Sequence, residues 1–233
     1  MADPGEGRRK PSLRSPTYAV RAPLARWLRE EAELARQHGT RPRLLDVGCG
    51  VKPYEPFFAG VVADYVGVDV ANPAAELEGT VEEIPVPDGS FELVLCTQTL
   101  EHVEDPARAV RELRRVVAPG GRVLVSTHGV QVYHPNPVDY WRWTHAGLER
   151  LFRENAFWST VTVTPGSGTT ACIGMLVSTY IALLAKRARV PGLGAPFIAT
   201  VNAAARAIDR ASSQLREPRP GTIFANYHVV AEP

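Results

Sequence analysis

Short apolar runs recur along the first part of the chain. Those at 43–47, 65–70, 91–96 and 121–127 are rich in valine and leucine, as expected of strands buried on both faces. Residues with helical spacing separate several of these runs. The alternation favours an α/β fold, in which a mostly parallel sheet carries helices on both faces.

Two helices have clear end signals. The first spans 23–38 and ends at Gly39. The second begins at Pro106, after Asp105 as the N-cap, and runs to just before Gly120. We therefore expect both helices to cover the sheet.

The last third of the chain predicts a helical insertion at about 168–216, ahead of the final strand. The elements are a helix from Thr144 through Phe152, a strand at 158–164, helices at about 170–188 and 196–215, and a strand at 227–231. Residues 1–16 have little apolar content and are predicted to be a disordered tail. Residues 17–233 then form a single domain.

Composition excludes several classes of protein. The net charge of +1 does not fit a dedicated nucleic-acid binder. Three cysteines with no CxxC pair argue against a disulfide framework and against a zinc site. An N-terminus that is polar and rich in Pro, Gly and Arg does not resemble an export signal, so a cytoplasmic protein is expected.

The apolar stretch at 171–185 is followed by Lys186, Arg187 and Arg189. It is shorter than the roughly 20 residues that a spanning helix needs, which favours a buried or interface helix. Peripheral contact with a membrane, or with a lipid-like substrate, stays open. Small residues at 203–207 also allow close helix packing, so the inserted helices could form a homodimer interface or a lid.

The first predicted strand ends in a glycine turn, Asp46-Val47-Gly48-Cys49-Gly50. Glycine lets the backbone approach a ligand closely, and Asp69 at the end of the second strand can accept hydrogen bonds from ribose hydroxyls. A dinucleotide and the adenosine part of S-adenosylmethionine both fit this arrangement. Pro53 occupies the position of the third glycine in the dinucleotide fingerprint, which disfavours an NAD-dependent oxidoreductase.

Three segments in this order resemble class I S-adenosylmethionine-dependent methyltransferases: LLDVGCG at 44–50, FELVLCTQTLEHV at 91–103 and RVVAPGGRVLVS at 115–126. GCGVKPY at 48–54 and HPNPVDYWRWT at 134–144 resemble a type 11-like bacterial subgroup, whose members often accompany glycan or natural-product biosynthesis.

The resemblance implies a Rossmann-like sheet of seven strands with the last antiparallel. It implies S-adenosylmethionine as cofactor, S-adenosylhomocysteine as product and no metal. Asp69 would hold the ribose, and Val81 and Glu82 would approach the adenine. Thr80 stands where many relatives carry an aspartate. The cofactor-binding residues expected are Asp46, Gly48, Cys49, Gly50, Asp69, Val70, Thr80, Val81, Glu82, Cys96 and Thr97.

The loop after the 121–127 strand is dense in groups that bind and titrate. His134 is the preferred general base, and His102, in the LEH segment, is a second candidate. The residues expected to contact substrate are His128, Tyr133, Tyr140, Arg142 and Trp143. A structural ion pair fits Arg142 equally well, and the aromatics could instead anchor the helix that begins at Thr144.

The acceptor is expected to be a small molecule, most simply an oxygen of a sugar, glycan precursor or natural product, with nitrogen second. The alternative is a protein that binds S-adenosylmethionine without methylating, or a non-methylating enzyme of the same fold.

Overall fold

A computed structural model describes residues 4–190 and 192–233, in which one sheet of seven strands has the order β3-β2-β1-β4-β5-β7-β6. The strands are β1 (Leu44–Val47), β2 (Tyr65–Asp69), β3 (Leu77–Glu78), β4 (Phe91–Thr97), β5 (Val117–His128), β6 (Thr160–Pro165) and β7 (Asn226–Glu232). The pairs from β3 across to β5 are parallel, and β7 is antiparallel to both β5 and β6. The predicted Rossmann-like, mostly parallel seven-stranded sheet is confirmed.

Seven α-helices surround the sheet in the described part of the chain. They are α1 (Glu6–Arg9), α2 (Tyr18–His38), α3 (Glu55–Phe58), α4 (Pro106–Val116), α5 (His145–Asn155), α6 (Thr169–Arg187) and α7 (Ala195–Ala211). Helix α2 begins five residues before the predicted start, so Pro23 lies inside it. Helix α4 ends at Val116 and not near Gly120, because the backbone passes directly into β5.

Alternate strand residues face opposite sides of the sheet, and both sides are buried. Leu45, Val47 and Val94 belong to one apolar cluster, which includes residues of α4 and α5. Leu44 and Leu95 belong to another, which includes residues of α2 and α3. Burial on both faces explains why these strands read as continuous apolar runs.

Residues 1–16 were predicted to be a disordered tail. Residues 4–16 are instead ordered, and residues 1–3 lie outside the described residues. Helix α1 is followed by chain that lies against the domain. Arg9 Nη1 donates to Pro53 O (2.6 Å), and the buried Asn202 donates through Nδ2 to Leu13 O (2.7 Å) and Ser15 O (3.0 Å). Polar contacts hold this segment in place. The prediction of disorder rested on low apolar content, which says nothing about polar contacts.

Helices α6 and α7 lie between β6 and β7 in the sequence. Gly174 allows them to approach closely, since a Cβ at this position would lie 3.1 Å from the Ala205 Cβ. Asp209 of α7 caps the start of α6 by accepting from Thr170 N (3.0 Å) and Ala171 N (2.9 Å). Among the described helices, α6 alone is long and apolar enough to cross a membrane by length and composition.

Candidate functional site

The glycine turn after β1 lies at the carboxyl edge of the sheet, where ligands bind in open α/β folds. Gly48 and Gly50 have φ values of 72° and 54°, a region that suits glycine. A Cβ on Gly48 would lie 2.3 Å from Thr99 Oγ1. The turn therefore packs directly against the segment that follows β4, and Cys49 between the glycines is buried.

Asp69, at the end of β2, organises the next part of the turn. Its Oδ2 accepts from Gly50 N (2.7 Å) and from Asn72 Nδ2 (3.0 Å), and its Oδ1 accepts from Val70 N (2.8 Å). The Val70 side chain itself is exposed. Each carboxylate oxygen has two lone-pair directions, so Asp69 keeps acceptor capacity for further donors.

Asp46 is buried at the end of β1, where Tyr65 Oη donates to its Oδ2 (2.6 Å). Burial raises the pKa of Asp46 to about 6. Its neighbour Lys52, which was not predicted as a site residue, is buried and bonded to Glu76. Glu76 in turn accepts from Gly67 N (2.6 Å). Lys52 and Glu76 thus hold β2 in place next to the glycine turn. The KPY sequence that follows the glycines was the feature of the sequence from which Lys52 could have been predicted.

The other predicted cofactor residues have varied surroundings. Thr80 is exposed and forms an isolated bridge with Glu83. Val81 is buried in the core, and Glu82 Oε1 accepts from Asp105 N (2.7 Å), ahead of α4. At the end of β4, Cys96 is fully buried and burial raises the pKa of its thiol, whereas Thr97 is only partly buried.

A buried glutamate and two histidines form a chain of polar contacts beside the turn. Thr127 Oγ1 donates to Glu101 Oε2 (2.9 Å), and Glu101 Oε1 lies 3.2 Å from His128 Nε2. His128 Nε2 lies 3.3 Å from His134 Nε2. Burial raises the pKa of Glu101 to about 7 and lowers the pKa of His128 to about 3. His128 is therefore neutral and Glu101 can hold a proton near neutral pH.

Glu101 was not predicted as a site residue, although it directly precedes His102 in the LEH segment. This segment forms a single 3-10 turn, Leu100–His102, two residues after Gln98. Thr99, which touches the glycine turn, opens it. The 3-10 turn thus connects the glycine turn to the histidines.

Asp139 and Arg142 fix the loop that carries His134. The buried Asp139 carboxylate is bonded to Arg142 and lies 3.4 Å, through Oδ2, from His134 Nε2. Arg142 also donates to Gln131 O (3.2 Å) and Val132 O (3.1 Å). The guanidinium predicted to bind substrate therefore has four of its five N–H donors engaged within the loop.

Aromatic side chains of the same loop form a wall beside the histidines. The rings of Trp141 and Trp143 are stacked with centroids 5.5 Å apart, and Trp141 Nε1 donates to Val103 O (2.8 Å). Tyr133 and Tyr140 are 68% and 53% exposed, which leaves both free to meet a ligand from solvent.

His102 lies next to His134, with ring centroids 5.1 Å apart. Its Nδ1 donates to Val138 O (3.0 Å), and burial lowers the pKa of the ring. The structure thus brings together both predicted bases and His128. Among the described residues, no group of three or more His, Cys, Asp or Glu side chains is placed to hold a metal ion.

The turn has the features that an adenosyl amino acid requires. Asp46 Oδ1 is buried and has no donor within hydrogen-bond distance in the described part of the chain. An ammonium group could satisfy it. Asp69 retains acceptor capacity, as a ribose diol needs. A Cβ on Gly50 would have only Arg8 Nη1 near it, at 4.0 Å, so this glycine leaves the turn open to a ligand.

Comparisons with known proteins show which family the chain belongs to. The model of a family described as "Methyltransferase domain" matches residues 18–159. A ubiquinone biosynthesis O-methyltransferase from Pseudomonas aeruginosa is 33% identical over 131 residues, covering 48% of this chain and 53% of that protein. Ajmaline N-methyltransferase from Rauvolfia serpentina is 31% identical over 130 residues, covering 46% and 45%.

A solved structure shares the fold. It is a phosphoethanolamine N-methyltransferase 2 from Haemonchus contortus, with a TM-score of 0.50 and 14% identity over 95% of this chain and 60% of that one. The chain spans about half the length of the curated relatives it matches. Since the family model covers more than half of the chain, the chain belongs to the methyltransferase domain family and has the fold of class I methyltransferases.

Proposed function

We propose that the chain transfers a methyl group from S-adenosylmethionine to a hydroxyl of a small molecule, such as a sugar, a glycan precursor or another natural product, and releases S-adenosylhomocysteine. One relative is an O-methyltransferase and another an N-methyltransferase, so relatedness leaves the acceptor atom open. The Haemonchus structure contains S-adenosylhomocysteine, which supports the cofactor.

The observation that carries the proposal is the contact between His134 and the buried Asp139 carboxylate, next to His128 and Glu101. A hydroxyl must lose a proton when it is methylated, whereas a neutral amine can attack before it loses one. A histidine placed against a buried carboxylate is suited to accept that proton. The site therefore favours an oxygen acceptor.

His134 can work as a base through one particular nitrogen. Its Nε2 faces Asp139 Oδ2 at 3.4 Å and His128 Nε2 at 3.3 Å. An N–H at Nε2 would point to these acceptors and leave Nδ1 with its lone pair for the substrate proton. The negative charge of Asp139 stabilises the imidazolium that results, as the carboxylate of a catalytic triad does.

Other residues of the chain would hold the two reactants. Bound S-adenosylmethionine supplies an activated methyl group, so the protein contributes mainly position and a site with little water. Asp46 and Asp69 would bind its amino acid and ribose parts. Tyr133, Tyr140 and the stacked tryptophans would bind the acceptor. Arg142 acts by holding Asp139 and the loop.

The test is a panel of hydroxyl and amine acceptors in which S-adenosylhomocysteine formation and methylated product are measured by mass spectrometry. His134→Ala should lower turnover of hydroxyl acceptors by about tenfold or more, with the affinity for S-adenosylhomocysteine unchanged. His38→Ala, a change to an exposed histidine of α2, is the matched control.

Full activity of His134→Ala on a hydroxyl acceptor would remove His134 as the base. His102→Ala distinguishes the second candidate. Methylation of amines alone, unaffected by either change, would show that nitrogen is the acceptor.

A further inference from the structure

Helix α6 has an exposed apolar stripe that the site does not use. Ile173, Val177, Tyr180 and Leu184 are 49%, 44%, 64% and 60% exposed, and their spacing places them along one side of the helix. We call these four residues the α6 face. A contiguous apolar surface of this kind on a water-facing helix indicates an interaction site.

The other side of α6 is fastened to the domain. Cys172 and Met175 are fully buried there, with Ala225 in the same apolar cluster. Asp209 caps the first turn of the helix. Only 28% of the most apolar stretch of α6 is buried. Crossing a bilayer would break the buried contacts, so α6 can lie on an apolar phase but not span it while the domain stays folded.

The charge around this helix is strongly one-sided. From residue 169 to residue 219 the chain carries seven Lys and Arg residues and two acidic ones, whereas the whole chain has a net charge of +1. One of the two acidic residues, Asp209, is buried against α6. Lys186, Arg187 and Arg189, at the end of the helix, are all exposed.

We infer that the α6 face docks on the surface of an anionic phospholipid bilayer, with the apolar stripe in the headgroup region and the basic residues on lipid phosphates. Apolar and basic residues side by side are the pattern of helices that bind in the plane of a membrane. A second copy is the weaker occupant, because a twofold contact would bring two sets of arginines together. Docking does not depend on which acceptor is methylated.

The loop of the candidate site contacts α6 on its buried side, opposite the α6 face. Gln131, which precedes the exposed Tyr133, makes a 3.7 Å hydrogen bond through Nε2 to Met175 Sδ on α6. Vesicle binding can be measured without any methyl acceptor, so its outcome is independent of the proposed function.

The experiment is flotation of the whole chain with two kinds of vesicle. One contains equal parts of phosphatidylcholine and phosphatidylglycerol, and the other contains phosphatidylcholine alone. The chain should bind the anionic vesicles, less strongly as salt is raised, and should not bind the neutral ones. Leu184→Ser should weaken binding about tenfold. Arg187→Ser should weaken it about fivefold.

Two matched controls change exposed residues that lie away from α6. Phe157→Ser removes an apolar residue that is 81% exposed, and Arg150→Ser removes an exposed arginine of α5. Both should bind as the unchanged chain does. Thermal unfolding followed by circular dichroism checks each variant, and Tyr180→Ser replaces Leu184→Ser if the latter does not fold.

Three results would overturn the inference. They are no binding to anionic vesicles, equal binding to both kinds of vesicle, and a dimer in light scattering that Leu184→Ser or Tyr180→Ser dissociates. The last would assign the α6 face to a second copy of the chain.

Discussion

His128 and His134 face each other through their Nε2 atoms at 3.3 Å. His128 is buried next to Glu101, and burial lowers the histidine pKa to about 3 while raising the glutamate pKa to about 7. The raised pKa of Glu101 lowers the stability of the fold as pH rises, whereas the lowered pKa of His128 increases it. Replacing Glu101 should therefore leave the effect of His128 visible.

Glu101→Gln should change the pH dependence of unfolding. Because the pKa of Glu101 is raised on folding from 4.5 to about 7, the folded chain binds more protons than the unfolded chain in this range. The carboxyl group therefore contributes stability at low pH that is lost as pH rises through this window, on the order of 3 kcal/mol. Urea unfolding at several pH values should show that Glu101→Gln lacks this decline.

The remaining slope in that variant should come from groups such as His128, whose lowered pKa adds stability as pH rises from about 3 towards 6.5. Glu104→Gln, a change to an exposed neighbour, is the control and should match the unchanged chain. Identical profiles for Glu101→Gln and the unchanged chain would contradict the shifted pKa.

Asp69→Ala should abolish S-adenosylhomocysteine binding in calorimetry while the chain still folds. The carboxylate would lose its contacts to the ribose hydroxyls, and a charged hydrogen bond to each hydroxyl makes a loss of about a hundredfold or more reasonable. Asp64→Ala, just before β2 and exposed, should leave affinity unchanged. Unchanged affinity in Asp69→Ala would refute the assignment of the ribose site.

Gly48→Ala should destabilise the chain more than Gly39→Ala. Both glycines have nearly the same φ, 72° and 71°, so the cost of the backbone conformation is shared. A Cβ at Gly48 meets Thr99 Oγ1 at 2.3 Å, whereas one at Gly39 meets nothing within 4 Å. The difference in unfolding free energy should be about 1–3 kcal/mol. Equal losses would mean that Thr99 moves away at no cost.

Asp209→Ala should loosen α6. Two backbone N–H groups at the start of the helix would lose their acceptor, at a cost of about 1–3 kcal/mol in unfolding free energy. Hydrogen exchange should increase first in α6. Glu217→Ala, which removes an exposed acidic residue paired with Arg219, is the control and should leave both quantities unchanged.

Periodicity predicted most of the sheet, because strands such as β4 bury alternate residues on both faces. It missed β3, where only Leu77 and Glu78 pair with β2, a stretch too short for any pattern to register. It also placed the end of α4 too late, since the helix stops where Val117 begins to pair with Phe91 in the sheet. That boundary is set by pairing with another strand and not by a local signal.

Most of the residues that lie together at the candidate site could be named from the sequence, but Glu101 and the contacts between them could not. Glycines, Asp69 and the histidines all stand in recognisable segments. The contact between Glu101 and His128 joins residues 27 positions apart, brought together because β4 and β5 are neighbours. The engagement of Arg142 with loop carbonyls was equally invisible, because backbone acceptors leave no trace in residue identity.

The position of β7 has a consequence for how the chain is made. β7 follows every other described strand in the sequence, yet it lies inside the sheet, between β5 and β6. While a ribosome extends the chain, β6 has no strand of the sheet to join until β7 has emerged. Helices α6 and α7 are synthesised during this interval, with the apolar α6 exposed. Nascent chains paused before residue 226 should therefore be good clients for chaperones that bind apolar segments.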